Sequence, residues 1–493
     1  MTAQAIGKTM RFSTLPLLMI LAVLASPAAA QDHGEDEGGS RFSDEPIPLA
    51  DIPQRPNPIL ELGEPFLGTG TLSQGIHMPG GAVWQPSLLA FGTLRTAVQG
   101  IDDGVAGTSL AEGVGRFDLF GNLYLTPSER IVIGFRPLDQ DGRFTRYTLH
   151  RDPEPDEDSE EFEEDFEDEL NFGIRTLFFE GDLGELFPNL DKDDSGVLDI
   201  GISVGRQPLS LQDGLLLNED ALDMVGLTRA NVKSFGTINT RITGIFGWGE
   251  IDRPMGGFNA PDEDAMLFGL MTETDTEKRT IEVDVMYVTA DDSAGAAGSG
   301  IYAGLGSTRR IGHYNNTFRV VGSFPAGDEG GANRQGVLIH NQLGWTPYHS
   351  YNYVYINTFA GINEFRSAVR GPSAGGPLGR TGILYAAVGL GRFGSALGNR
   401  SDRAVGGSVG YQMFFAKTRQ QLILEGGGTF QYAEPDDDDP DAFVPQSDAV
   451  AGAARYQIAV GRRGVVVLDG FTTYNLDESE MAFGGRFEIL IKL

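Results

Sequence analysis

The chain has no cysteine in 493 residues. That excludes a disulfide scaffold, a thiolate metal site and lipid attachment behind an export signal. Histidine is also scarce, at six residues, and no pair stands at metal-ligand spacing, so a catalytic reading has little to rest on. Basic residues are outnumbered, 37 Lys and Arg against 69 Asp and Glu, for a net charge of -32. Nucleic acid is therefore not an expected partner, because phosphate contacts need a concentrated basic face. After Leu15 to Ala25, no run approaches the roughly 18 apolar residues of a membrane-spanning helix.

The acid surplus is local. Residues 32–64, 152–169 and 434–448 hold 29 of the 69 acids, and outside them the charge is nearly balanced. Acid runs of this kind are usually solvated tails or loops. Lys8 and Arg11 precede the apolar run of residues 15–25, and Ala28, Ala29 and Ala30 offer a small-residue cleavage site before Gln31. This is the pattern of a secretory signal peptide over residues 1–30. Residues 31–84 are rich in Pro, Gly and acids and read as a mostly unstructured leader, too short for a globular plug.

From Gln85 onward the pattern changes to repeated segments of about ten alternating residues. Met481, Phe483, Phe487, Ile489, Ile491 and Leu493 share one parity, while Arg486, Glu488 and Lys492 fall on the other. Alternation of this period places apolar and polar side chains on opposite faces of a strand. Thr280, Glu282 and Asp284 alternate with Ile281, Val283 and Val285 in the same way, and Arg319 opposes Phe318 and Val320. In a soluble sandwich the apolar face would turn inward. In a large barrel it meets lipid, and the charged face lines a watery lumen.

The expected fold is all-β, a transmembrane antiparallel β-barrel spanning residues 85–493 in the outer membrane of a bacterium. Short connections near residues 127–129, 275–278, 311–313, 346–349, 416–418 and 461–463 alternate with long ones, as expected when both termini lie in the periplasm. Parity holds if residues 364–402 form one long outer connection, which gives about 18 strands, with 16 as the fallback. Pro137 interrupts the third strand candidate and calls for a bulge or bend there. Expected partners are membrane lipid and lipopolysaccharide, a small solute, and the barrel-assembly machinery through the C-terminal strand.

Within residues 203–229, Gly205-Arg206-Gln207, Asp213-Gly214, Asp220 and Asp223 form a pattern that resembles the alginate-export family and related porin-like barrels. The resemblance implies an 18-stranded monomeric barrel with a strongly basic lumen that carries an acidic polysaccharide outward. The bland alternative for the same segment is a structural hinge without a ligand.

Three groups of residues are candidates for function. Arg241, Arg319, Arg455 and Arg486, with Glu282 and Asp284, fall on the lumen parity and are expected to line the pore. Residues 364–402 carry Arg366, Arg370, Arg380, Arg392 and Arg400 against two acids, together with apolar residues such as Ile383, Leu384 and Val388. Such a segment is expected to fold into the barrel mouth, where its arginines grip carboxylates. Finally, Asp191, Asp193, Ser195 and Asp199, with Gly196 at the sixth position and a Val197 carbonyl, match the first part of a calcium loop. Position twelve is Ile202, so the bidentate glutamate is missing, and a plain polar turn is the alternative. The expected function is a channel for diffusion of small hydrophilic solutes, with anionic ones as a candidate class. The alternatives are an exporter of a charged exopolysaccharide and a closed barrel that captures cations or a partner.

Overall fold

The structure, a computed structural model, describes residues 57–63, 74–102, 109–151, 162–193, 195–233, 236–255, 258–262, 264–290, 298–327, 329–433 and 447–493. The proposed signal peptide and the acid-rich residues 152–161 and 434–446 lie outside that set. Alternation builds an antiparallel ladder of eighteen strands. These are β1 (Ser87–Asp102), β2 (Ser109–Tyr124), β3 (Arg130–Phe135 and Arg143–Arg151), β4 (Phe162–Glu167 and Ile174–Asp182), β5 (Ile200–Leu211) and β6 (Leu217–Arg229). They continue as β7 (Asn239–Gly249), β8 (Leu267–Asp275), β9 (Arg279–Val288), β10 (Gly300–Ile311), β11 (Tyr314–Pro325) and β12 (Gly336–Trp345). The last six are β13 (Tyr353–Asn363), β14 (Ala404–Phe415), β15 (Gln420–Gln431), β16 (Ala449–Val460), β17 (Gly464–Asn475) and β18 (Met481–Lys492). β18 pairs with β1, from Lys492 opposite Thr93 to Phe483 opposite Asp102, so the sheet closes on itself. The fold is a closed 18-stranded antiparallel β-barrel, as the parity of the connections required.

Burial follows the period of two. On β9, Val283, Val285 and Tyr287 face outward and are exposed, while Asp284 and Met286 face inward and are buried. An exposed apolar band and a buried polar interior invert the order of a soluble protein, and only a lipid surround makes that inversion favourable.

Two interruptions shape the interior. Strand β3 breaks after Phe135 and resumes at Arg143, with β2 pairing to both halves. The break falls at Pro137, which cannot donate to the ladder. In the hairpin β5–β6, Gly205 has φ +121 and a register shift follows between Gln207 and Leu209. Here a Cβ on Gly205 would lie 2.2 Å from the Leu177 carbonyl oxygen. The hairpin tip bends across the lumen, so that Gln212 Nε2 donates to Asp284 on β9 at 2.6 Å. Its run Leu215-Leu216-Leu217, buried to within 3%, is thus interior. We expect Gly205→Ala to cost about 1–3 kcal/mol in backbone strain alone, with the clash in addition, measured as a lowered urea midpoint of the refolded barrel.

Two stretches expected as leader and loop carry short pairings. The leader is not wholly unstructured: Leu60–Leu62 pairs antiparallel with β1, and Ile76–His77 pairs with Val83–Trp84. The cause is the β1 edge from Leu88 to Ala90, which lies beyond the last β18 residue paired to it and would otherwise leave its backbone groups open. The acidic connection of residues 152–169 is likewise shorter as a loop, because Phe162–Glu167 pairs with the second half of β3. Arg146 holds that pairing by donating to Glu167 at 2.6 Å.

Candidate functional site

Residues 364–402 cross the lumen and are tied to the wall on many sides. At their base, Arg366 donates to Asp402 at 2.6 Å, and its backbone N–H donates to Ser323 on β11. Val369–Arg370 adds a short parallel strand to the inward tip of β6. Farther along, the Ile383 N–H and the Tyr355 hydroxyl both donate to Glu425 Oε2 at 2.6 Å. On the opposite wall, Gln99 donates to the Leu390 carbonyl and Arg116 to that of Gly389. Phe365, Val369, Leu378, Leu384 and Tyr385 are at most 1% exposed. Burying such a side chain stabilises the folded loop by about 1.5–3 kcal/mol each, so the segment is a fixed partition rather than a strand of solvated chain.

The five arginines of this segment have different surroundings. Arg366 is neutralised by Asp402. Arg370 is fully buried and donates only to the Gly214 carbonyl, at 2.9 Å, leaving Nε and Nη1 without partners. Burial pushes its guanidinium down to about 9, with Arg380 adding to the effect; it keeps its charge at neutral pH. Arg400 makes no hydrogen bond among the described residues, and burial lowers its pKa as well. Arg380 donates to Ser210 at 2.7 Å and lies 4.0 Å from Asp213. Arg392 is half exposed and reaches Glu167 at 3.4 Å. A cavity of about 380 Å³ opens beside the buried pair, lined by Arg143, Phe365, Arg366, Arg370, Arg400 and Asp402 among others.

The wall arginines are largely compensated. Arg241 pairs with Glu273. Arg455 donates to Asp469 at 2.6 Å, and Arg486 bonds both Asp469 and Glu488. Arg319 sits 3.9 Å from both Asp213 and Glu282. Asp284 accepts from Gln212 rather than from an arginine. The positive charge least compensated among these residues therefore belongs to the partition, at Arg370 and Arg400, which Glu219 and Asp402 reach only through space, and not to a continuous track along the wall.

Sequence reading missed several interior charges. Arg136 bridges Asp118 at 2.8 Å and Asp220 at 2.7 Å, and Arg175 joins Asp220 at 3.0 Å and Glu250 at 3.6 Å. Arg95 pairs with Glu488 at 2.7 Å. The break at Pro137 was the available signal for the first of these, since it turns Arg136 off the ladder. A second inward element, the hairpin Asp252–Met255 with Phe258–Pro261, had no sequence cue. It is pinned by Arg253, wholly buried and donating to the Tyr302 hydroxyl at 2.8 Å.

The turn of Asp191, Asp193, Ser195 and Asp199 has a different centre from the one a calcium loop would have. Asp191 accepts from the Ser195 N–H at 2.9 Å. The carbonyls of Gly196, Val197 and Asp199 accept from Arg229, at 2.5, 3.1 and 3.0 Å. A guanidinium thus supplies the positive charge, and no cluster of three acidic or histidine ligands occurs among the described residues. These residues do not fit a metal ion.

The sequence matches no protein-family model and no curated protein. Solved structures do match. OccK5 (OpdH) of Pseudomonas aeruginosa aligns with a TM-score of 0.50 at 10% identity, over 82% of this chain and 98% of that one. OccK2 (OpdF) of the same organism aligns with a TM-score of 0.50 at 11% identity, over 82% and 97%. The outer membrane protein opdK of that organism gives 0.47 at 11%, over 82% and 98%. At such identity the likeness is one of fold.

Proposed function

We propose that this chain is a bacterial outer-membrane channel through which small hydrophilic solutes diffuse, with a preference for small anions. The observation that carries this reading is the partition of residues 364–402, which narrows a closed barrel and holds two arginines, Arg370 and Arg400, that no carboxylate among the described residues meets in a salt bridge. Guanidinium forks match carboxylate geometry, so carboxylated solutes such as sugar acids are the natural candidates. The exporter of a charged polymer, which the alginate-export resemblance implies, is less well supported, because a partition bonded to many wall strands leaves little room for a threaded chain. Solved structures of the same fold include one described as an outer membrane protein.

The test is single-channel recording in planar bilayers. Discrete conductance steps with a reversal potential on the anion side are expected; silent bilayers would favour a closed barrel that binds at the surface. Orientation has its own test. An epitope tag inserted at Ser159, outside the described residues, is expected to be accessible on intact cells, and accessibility only after permeabilisation would invert the topology.

A further inference from the structure

We infer that the outward face of β9 and β10, at their short-turn ends, binds the phosphate headgroup of an anionic phospholipid between Arg279 and Arg309. The inference rests on the outer-membrane reading. The two residues are direct partners in the antiparallel register. Arg279 shares the outward parity of Val283, Val285 and Tyr287, and Arg309 that of Ile301 and Leu305. Both arginines are exposed. Neither guanidinium has an ion pair or hydrogen bond among the described residues. Asp275 is engaged by Thr280 at 2.8 Å, and Glu277 in the intervening turn pairs with neither arginine. Like charges directly opposite on a sheet are destabilising unless an anion sits between them, and two forks side by side match the oxygens of a phosphate.

The surface above the pair suits an acyl chain. Ile281, Val283 and Leu305 lead along the strands to an apolar hollow of about 830 Å³, bordered by Leu270, Val285, Tyr287 and Ile301. Its floor includes Gly244, where a Cβ would meet nothing within 4 Å. Six residues of strand separate Arg279 from Val285, about 20 Å at the usual rise, within the reach of a long acyl chain. The same barrel end is basic further round: Arg310, Lys417, Arg419, Arg462 and Arg463 flank turns that contain no acid.

The experiment offers the purified barrel, in uncharged detergent, an equimolar mixture of phosphatidylglycerol and phosphatidylcholine, and counts retained lipid by native mass spectrometry. The unaltered protein is expected to retain phosphatidylglycerol about tenfold over phosphatidylcholine, a difference of about 1.4 kcal/mol. Arg279→Gln with Arg309→Gln should abolish that preference, and Arg309→Gln alone should remove most of it should the double variant not fold. Lys417→Gln with Arg419→Gln should leave it intact. Equal retention of both lipids by the unaltered protein, or an undiminished preference in the folded Arg279 and Arg309 variants, would overturn the site. Both arginines face away from the lumen, so their removal should leave conductance unchanged. A lost site with normal conductance spares the channel reading, and a silent channel with selective lipid retention spares the site.

Discussion

Deleting residues 371–379 is expected to raise single-channel conductance severalfold while leaving the barrel folded. The segment lies in the middle of the partition, where Pro372 packs against Gly142 of the β3 break and Leu378 is fully buried. Conductance of a water-filled pore scales with its narrowest cross-section, and among the backbone bonds of the described residues these nine give the barrel strands only that of the Gly371 N–H to the Asn218 carbonyl, 2.9 Å, at the inward tip of β6. The deletion forfeits the burial of Leu378, about 1.5–3 kcal/mol, together with the contacts of Gly375 and Gly376 to Asn399. It does not touch the closure between β18 and β1. The readouts are conductance steps in symmetric salt and gel mobility before and after heating, which reports the folded barrel separately. An unchanged conductance in a folded variant would mean that the inward tip of β5–β6 or the Arg253-pinned hairpin sets the narrowest point instead.

The fold was legible because its determinants are local and repeated. Alternation along segments such as β9 and β18 fixes which face meets lipid, and the parity of short and long connections fixes the strand count. Assigning residues 364–402 to a single connection required only that parity, together with a content of apolar residues and arginines that solvent would not favour. The details of the interior were much less accessible. That Arg455 and Arg486 share Asp469 depends on register across β16 to β18, which alternation leaves free to slide by two residues. The inward bend of β5–β6 depends on one glycine at φ +121, and its leucine run looks lipid-facing by composition. The calcium-like turn shows the limit most plainly. Spacing matched a known ligand loop, but the group that fills its carbonyls, Arg229, lies 30 residues beyond Asp199 in the chain and reaches it only through the β5–β6 pairing.

Neutralising Arg370 and Arg400 is expected to move selectivity away from anions, with no comparable effect from neutralising the wall arginines. A wall arginine such as Arg455 shares its field with Asp469 at 2.6 Å, so to a passing ion the pair is mostly a dipole. Arg370 and Arg400 have no carboxylate in salt-bridge contact, Glu219 and Asp402 acting on them only through space, and Arg366 is already matched to Asp402. A unit charge about 8 Å from one guanidinium gains at most about 2 kcal/mol at an effective dielectric of about 20, less what Glu219 and Asp402 offset. The Debye length is about 10 Å at 0.1 M and about 3 Å at 1 M salt, so the contrast should be large in dilute salt and small in concentrated salt. In a tenfold salt gradient at low ionic strength, Arg370→Gln with Arg400→Gln should shift the reversal potential toward the cation side and lower the anion-to-cation permeability ratio severalfold. Arg455→Gln should shift it little. pH supplies an independent arm. A base held down to about 9 by burial is charged below that value and loses its proton as pH rises through it. The unaltered channel should therefore lose part of its anion preference between about pH 8 and pH 10, and the Arg370→Gln channel should not. Equal reversal potentials in the unaltered and doubly substituted channels, at low salt and neutral pH, would remove the partition from the selectivity mechanism.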